Sequence, residues 1–230
     1  MNLEQRVAHV EERIRAACAR SGRPREDVRL IAVTKYVSLE TTRRLMELGC
    51  SHIGENRWQD AAGKWEALQG AGTWHFLGTL QTNKVKDVVG KFAYIHSLDR
   101  LSLAKEIEKR AARQGIRVDC FIQVNVSGEQ TKHGIAPDEL PDFAREVSNC
   151  EHLRVVGLMT MAPHVEDAEQ TRPVFRELRR LRDDLNEAGI FKEAVPHLSM
   201  GMSNDFEVAI EEGATWIRLG SVLTGTTAGR

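Results

Sequence analysis

This chain has little cysteine, almost no net charge and no long apolar run, and each shortage closes off a class of protein. Its four cysteines, Cys18, Cys50, Cys120 and Cys150, lie far apart among 230 residues, with no C-x-x-C pair and no His-rich spacing suited to a metal. Cys120 falls in an apolar, strand-like stretch and reads as a buried thiol rather than a disulfide partner. Lys and Arg total 32 against 33 Asp and Glu, so no bulk charge recommends a nucleic acid or a membrane surface as partner. Nothing approaches the ~20 consecutive apolar residues of a membrane span. The opening MNLEQRVAHVEERIRAACAR mixes charged and apolar residues at helical spacing and lacks the apolar core of a signal peptide. These absences point to a reduced, cytoplasmic protein. No linker or low-complexity tract interrupts the chain, which leaves 1–230 as one domain.

What is present is a repeating pattern: a short apolar run, a turn, an amphipathic helix, then another apolar run. A first helix spans about residues 2–20, followed by the turn-like SGRPRED. Eight strands are expected at 29–34, 50–54, 73–78, 92–97, 117–126, 153–158, 196–200 and 216–219. Between them, LETTRRLMELG and LDRLSLAKEIEKRAARQG carry apolar residues at helical intervals and close on Gly. Strands alternating with helices imply parallel pairing through right-handed crossovers. Eight such units favour a closed TIM-type (β/α)8 barrel with an extra N-terminal helix. The alternative, a doubly wound sheet, is weakened because no G-x-G-x-x-G turn follows the first strand.

In such a barrel, chemistry is expected at the C-terminal ends of the strands. Lys35 closes the run LIAVT, and alternation places it inward if Ile31 and Val33 point inward. Partial desolvation there favours a neutral amine able to attack an aldehyde, although a lysine at a strand end also snorkels readily to water. The loop after strand 7, SMGMSND, offers Ser199, Met200, Gly201 and Ser203, with Ser203 or Asp205 expected to cap the helix that follows. The loop after strand 8, RLGSVLTG, offers Gly220 and Ser221. Taken singly these loops read as ordinary turns. Together they form the phosphate site that barrels build from their last two loops, and strand 8 closes against strand 1, beside Lys35. Arg218 shares the parity of Trp216 and should face the mouth, to bind phosphate, pair with Glu55 or Asp205, or meet a cofactor ring.

At these residues the chain closely resembles the pyridoxal phosphate homeostasis proteins. The matching segments are IAVTKYVS, HIGENRWQD, WHFLGTLQTNK, VDCFIQVNVSGEQTKHGI, GLMTMAP and LSMGMSNDFEVAIEEGATWIRLGS, spread over about residues 29–225. The resemblance implies the barrel of alanine racemase without its second, β-rich domain. It also implies that Lys35 holds pyridoxal 5′-phosphate as an aldimine and that Ser199, Met200, Gly201, Ser203, Gly220 and Ser221 cradle the phosphate. Arg218 is then expected to face the pyridine nitrogen, and Asn56 to line the pocket. Thr224 departs from the family, which usually places an aromatic before this glycine. The implied role is intracellular cofactor and amino-acid balance, with apo-enzymes as recipients, rather than efficient catalysis.

The residues agree with that reading. A permanently cationic arginine at the ring nitrogen weakens the electron sink that a carboxylate would strengthen. Racemisation also needs a second acid/base group. Of the two tyrosines, Tyr36 follows Lys35 and should point away, while Tyr94 lies inside strand 4. His75, His96 and His133 remain as proton-transfer candidates, each more readily a structural histidine. A weak racemase is the alternative, and a Schiff-base aldolase a third, disfavoured for want of a partner acid. No apolar patch argues against a monomer, and SGEQTKHG (127–134) reads as a surface loop or a lid.

Overall fold

A computed structural model describes residues 1–225 apart from Gln130 and Lys132. Two earlier expectations therefore extend past the described residues: the 127–134 segment at those two positions, and the 1–230 domain at its last five. The eight strands are β1 Arg29–Val33, β2 His52–Glu55, β3 Thr73–Phe76, β4 Tyr94–Leu98, β5 Val118–Gln123, β6 Leu153–Met159, β7 His197–Ser199 and β8 Trp216–Leu219. The α-helices are α1 Leu3–Arg20, α2 Leu39–Glu47, α3 Trp58–Ala67, α4 Val85–Val88, α5 Leu101–Gln114, α6 Leu140–Val147, α7 Arg172–Glu187, α8 Phe206–Glu211 and α9 Ser221–Thr224. Each strand pairs in parallel with the next, and β8 pairs with β1, closing the barrel. The eight expected strands are all there, shorter by one to four residues in most cases. The doubly wound alternative is excluded by the closure.

The helices form where the sequence supplies a buried stripe and a cap. α1 opens on a capping box, in which Asn2 Oδ1 accepts from Gln5 N–H at 2.8 Å and Gln5 Oε1 accepts from Asn2 N–H at 3.0 Å. It buries Val10, Ile14, Ala17 and Cys18. Arg13 and Arg20 tie it to α8 through Glu207 and Glu211, each helix thereby bracing the other. α7 buries Phe175, Leu178, Leu181 and Leu185, a three-to-four residue stripe on an otherwise charged helix. None of the helices among the described residues is long and apolar enough to cross a membrane.

Apolar side chains divide into two layers. The larger lies between barrel and helices, and the smaller fills the barrel with Ile31, Phe121, Val156, Met159 and Trp216. Gly157 on β6 makes room for this filling: a Cβ there would stand 2.4 Å from the His197 carbonyl and 2.5 Å from the Phe121 ring. The inner layer is unusually rich in histidine. His75 stacks on Tyr94 at 4.7 Å and His96 on Phe121 at 4.2 Å. His52 and His197 pack edge-on to Trp216. Tyr94 begins β4 and so sits at the barrel floor, away from the mouth.

Burial holds His75 and His96 well below the ordinary histidine range, and pushes His197 down to about 4. Below a pH of ~6.5 the unfolded chain takes up protons that the native barrel refuses, so stability must fall as pH falls through that value. His75 and His96 alone should cost about 3 kcal/mol between pH 7.5 and 5.5. Urea unfolding at the two pH values checks this, and a flat profile would contradict the neutral, buried state of these rings.

Candidate functional site

At the barrel's C-terminal end, β1 stops at Val33 and the chain turns, with Val37 N–H donating to the Thr34 carbonyl at 3.1 Å. Thr34 is fully buried and held on three sides. Its N–H donates to the Gly54 carbonyl, its hydroxyl donates to Glu55 Oε1 at 2.6 Å, and its carbonyl accepts from Lys64 Nζ at 2.6 Å. Lys64 reaches in from the inner face of α3, next to buried Ala61, and forms an ion pair with Glu55. Both partners are almost entirely shut off from water. This pair anchors the Thr34–Lys35 peptide and so fixes where the next side chain emerges.

Lys35 emerges half-buried into a cavity of about 320 Å³, inside the range of small-ligand pockets. Its Nζ lies 4.9 Å from the centre of the Tyr36 ring. Tyr36 corrects an expectation. Alternation would send it away from Lys35, but the strand has ended, and the turn brings it to the cavity rim, 62% exposed. His164, on the loop after β6, also lines the cavity, 3.4 Å from Asn204 Nδ2. Parity along a strand cannot locate either residue, since both lie on loops.

The opposite wall comes from β7 and β8. Lys35, Asn56, Ser203, Arg218, Gly220 and Ser221 all line the one cavity, which brings the amine and the expected anion cradle to a shared rim. Ser203 Oγ accepts from the N–H groups of Gly220 and Val222, both at 3.4 Å, at the start of α9. Among the described residues nothing demands glycine at 220, where a Cβ would meet only Val33 at an ordinary 3.6 Å. Thr224, where the family carries an aromatic, lines the cavity and donates its hydroxyl to the Gly220 carbonyl at 3.2 Å.

Three expected cradle residues stand behind the wall rather than on it. Ser199 is fully buried and bonded to Arg218 and His96, and Met200 is packed in the outer core. Gly201 has φ +94 and lies so close to α8 that a Cβ would stand 2.6 Å from that of Ala209. Its carbonyl accepts from Arg218 N–H at 3.0 Å. The cap also differs from expectation, since Asp205 turns its carboxylate back to Met202 N–H at 2.6 Å. Burial raises the Asp205 carboxyl, offset in part by that N–H and by Arg218.

Arg218 is 5% exposed. Nη1 donates to Ser199 Oγ at 2.8 Å and Nη2 to the Thr160 carbonyl at 2.9 Å. Among the described residues it has no salt bridge, so neither Glu55 nor Asp205 is its direct partner. Burial pulls the guanidinium down to about 10. A buried cation with only neutral partners, facing a cavity, suits a ligand that brings an acceptor or negative charge. Beside it, the backbone N–H groups of Gly220 and Val222 and the Ser203 hydroxyl suit a phosphate. The residues present therefore fit a phosphorylated aldehyde with a ring acceptor. Of the histidines considered from sequence, His75 and His96 lie inside the barrel and His133 is exposed, none of them at the cavity.

The fold and this mouth define a barrel of the alanine racemase N-terminal class, and the family described as "Alanine racemase, N-terminal domain" matches residues 6–228. The pyridoxal phosphate homeostasis protein of Aquifex aeolicus is 48% identical over 226 residues, covering 98% of each chain. That of Pseudomonas aeruginosa is 37% identical over 224 residues, covering 97% of this chain and 95% of its own. The chain belongs to the pyridoxal phosphate homeostasis protein family. Among solved structures, PipY of Synechococcus elongatus PCC7942 with PLP bound superposes with a TM-score of 0.84 at 32% identity, covering 97% of this chain and all of that one. Alanine racemase of Clostridium difficile 630 (TM-score 0.75, 16% identity) covers 99% of this chain but 57% of its own and shares the fold.

Lys64→Met would leave the Glu55 carboxylate without its counter-charge in a dry site, and should lower stability by about 3–5 kcal/mol. Adding Glu55→Leu should restore much of that loss, because both charges are then gone. Urea denaturation of the single and double variants measures it. A single-variant loss below about 1 kcal/mol would mean that the pair does not anchor the Lys35 turn.

Proposed function

We propose that this protein holds pyridoxal 5′-phosphate at the barrel mouth and serves the intracellular balance of that cofactor and of amino acids, without efficient catalysis. The observation that carries the reading is the single cavity shared by Lys35, the buried Arg218 with its neutral hydrogen-bond partners, and the N–H groups at the start of α9. When bound, the cofactor supplies an aldehyde open to an amine and a ring that draws electrons. Lys35 supplies the amine. Ser203, Gly220 and Ser221 hold the phosphate, with Ser199, Met200 and Gly201 supporting them from behind. Arg218 faces the ring nitrogen as a fixed cation, and Asn56 closes the side of the pocket. Relatives named for this role, and a 32% identical neighbour whose structure holds PLP, support the assignment.

Such an arginine disfavours protonation of the ring nitrogen and so disfavours carbanion chemistry. The four cysteines are free, which fits the cytoplasm. We place residues 1–230 in one binding unit that works as a monomer, with apo-enzymes that need the cofactor as its recipients. Tyr36 and His164, both at the cavity, give the weak-racemase alternative its only added support.

Reconstituted protein should carry a visible absorption band at one cofactor per chain, and Lys35→Ala should abolish it. A colourless reconstituted protein would defeat the assignment. In D₂O, alanine or serine should exchange its α-hydrogen far more slowly than the order of 1 per second typical of enzymes. Exchange at that rate or faster would make the protein a racemase-type catalyst instead.

A further inference from the structure

The barrel interior holds a line of polar side chains that cofactor binding does not explain. Arg218 Nη1 meets Ser199 Oγ at 2.8 Å, and Ser199 Oγ meets His96 Nδ1 at 2.8 Å. His96 Nε2 meets His75 Nδ1 at 3.0 Å, and His75 Nε2 meets His52 Nδ1 at 3.1 Å. Five side chains from β8, β7, β4, β3 and β2 thus run from the mouth to the half-buried His52 at the floor. Ring packing holds each link in line. Phe121 stacks on His96, Tyr94 on His75, and Trp216 lies 4.9 Å from both His75 and His52.

The chemistry of the links gives the line a direction. A guanidinium can only donate, so Ser199 Oγ accepts from Arg218. The single hydroxyl proton of Ser199 then has one partner on offer, His96 Nδ1. With Nδ1 accepting, neutral His96 carries its proton on Nε2 and donates to His75 Nδ1. By the same logic His75 carries its proton on Nε2 and donates to His52 Nδ1. Reversing any link would leave the Ser199 hydroxyl proton buried without a partner, at a cost of about 1–3 kcal/mol. Burial keeps the rings of His75 and His96 neutral, as this arrangement requires. The other ionisable groups facing the line are Tyr94, His197, Arg29 near His52 and Asp205 near Arg218. None interrupts its hydrogen bonds.

We propose that Ser199, His96, His75 and His52 are positioning residues for Arg218, joined in a one-way hydrogen-bond chain that orients the guanidinium facing the cofactor ring. The chain is cooperative, because each donor is polarised by the acceptor role of the same ring's other nitrogen. A change at the floor is therefore felt at the mouth. The effect on the ring rests on the cofactor reading given above, whereas the proton pattern of the chain does not.

Two measurements separate these. In protein without cofactor, ¹⁵N-histidine NMR at neutral pH should find His52, His75 and His96 all protonated on Nε2 and bare on Nδ1, and Arg218→Met should scramble that pattern. A proton on Nδ1 of His75 or His96 in the unsubstituted protein would overturn the proposal, whatever the cofactor does. In cofactor-loaded protein, His75→Phe, which cuts the chain two links below Arg218, should move the visible absorption maximum. His197→Phe, a barrel histidine outside the chain, should not. An unmoved maximum in His75→Phe, or an equal shift in His197→Phe, would reduce these residues to packing. If the unsubstituted protein loads no cofactor but shows the expected proton pattern, the cofactor reading fails and the chain stands.

Discussion

Everything at the mouth depends on the pairing of β1 with β8. Ile31 lies opposite Arg218 in that register, and the two strands come from opposite ends of the chain. Parallel closure leaves no edge and sets every strand end on one rim. The amine two residues past β1 and the N–H groups just past β8 thereby become neighbours, although more than 180 residues separate them. An open sheet with the same strands would leave them on opposite edges.

Closure also creates a narrow interior that must be filled and kept neutral. Most barrels meet this with branched aliphatic side chains. Here Arg218, Ser199, His96, His75 and His52 run through the interior, each hydrogen-bonded to the next, with aromatic rings on their flanks, while His197 Nδ1 and Trp216 Nε1 are buried without a partner among the described residues. A bonded polar line of this kind specifies one arrangement strongly, because any misplaced member strands a buried polar group. The Glu55–Lys64 pair follows the same logic on the outer side of β1 and β2, where it defines a single course for the turn that carries Lys35. Two polar clusters on either side of the barrel wall thus hold the mouth rigid from below and from behind. A rigid, pre-shaped pocket loses little on binding, which suits a protein that keeps hold of a ligand.

Much of this was legible along the chain. The eight apolar runs are strands, the helices between them are where their stripes and Gly caps place them, and Lys35 does turn inward with Ile31 and Val33. The loop chemistry after β8 was equally readable, since Gly220 and Ser221 sit where a helix begins. The misreadings share one cause. Ser199 and Met200 were expected in the cradle because the resemblance runs through SMGMS, yet β7 extends to Ser199, so its alternation still governs them. Ser199 accordingly faces the barrel interior and Met200 the outer core. Tyr36 failed in the opposite sense: alternation was extended past the end of β1 into a turn.

The sequence by itself determined the fold class and the strand count, because these rest on periodicity that local physics interprets directly, while the family and the expectation for Lys35 came from the resemblance of its motifs. Tertiary structure alone decided which side chains meet. The Arg218–Ser199–His96–His75–His52 line draws on five strands, and the Glu55–Lys64 pair on a strand and a helix. Hydrogen bonds act across a few ångströms of space, and distance along the chain carries no record of them.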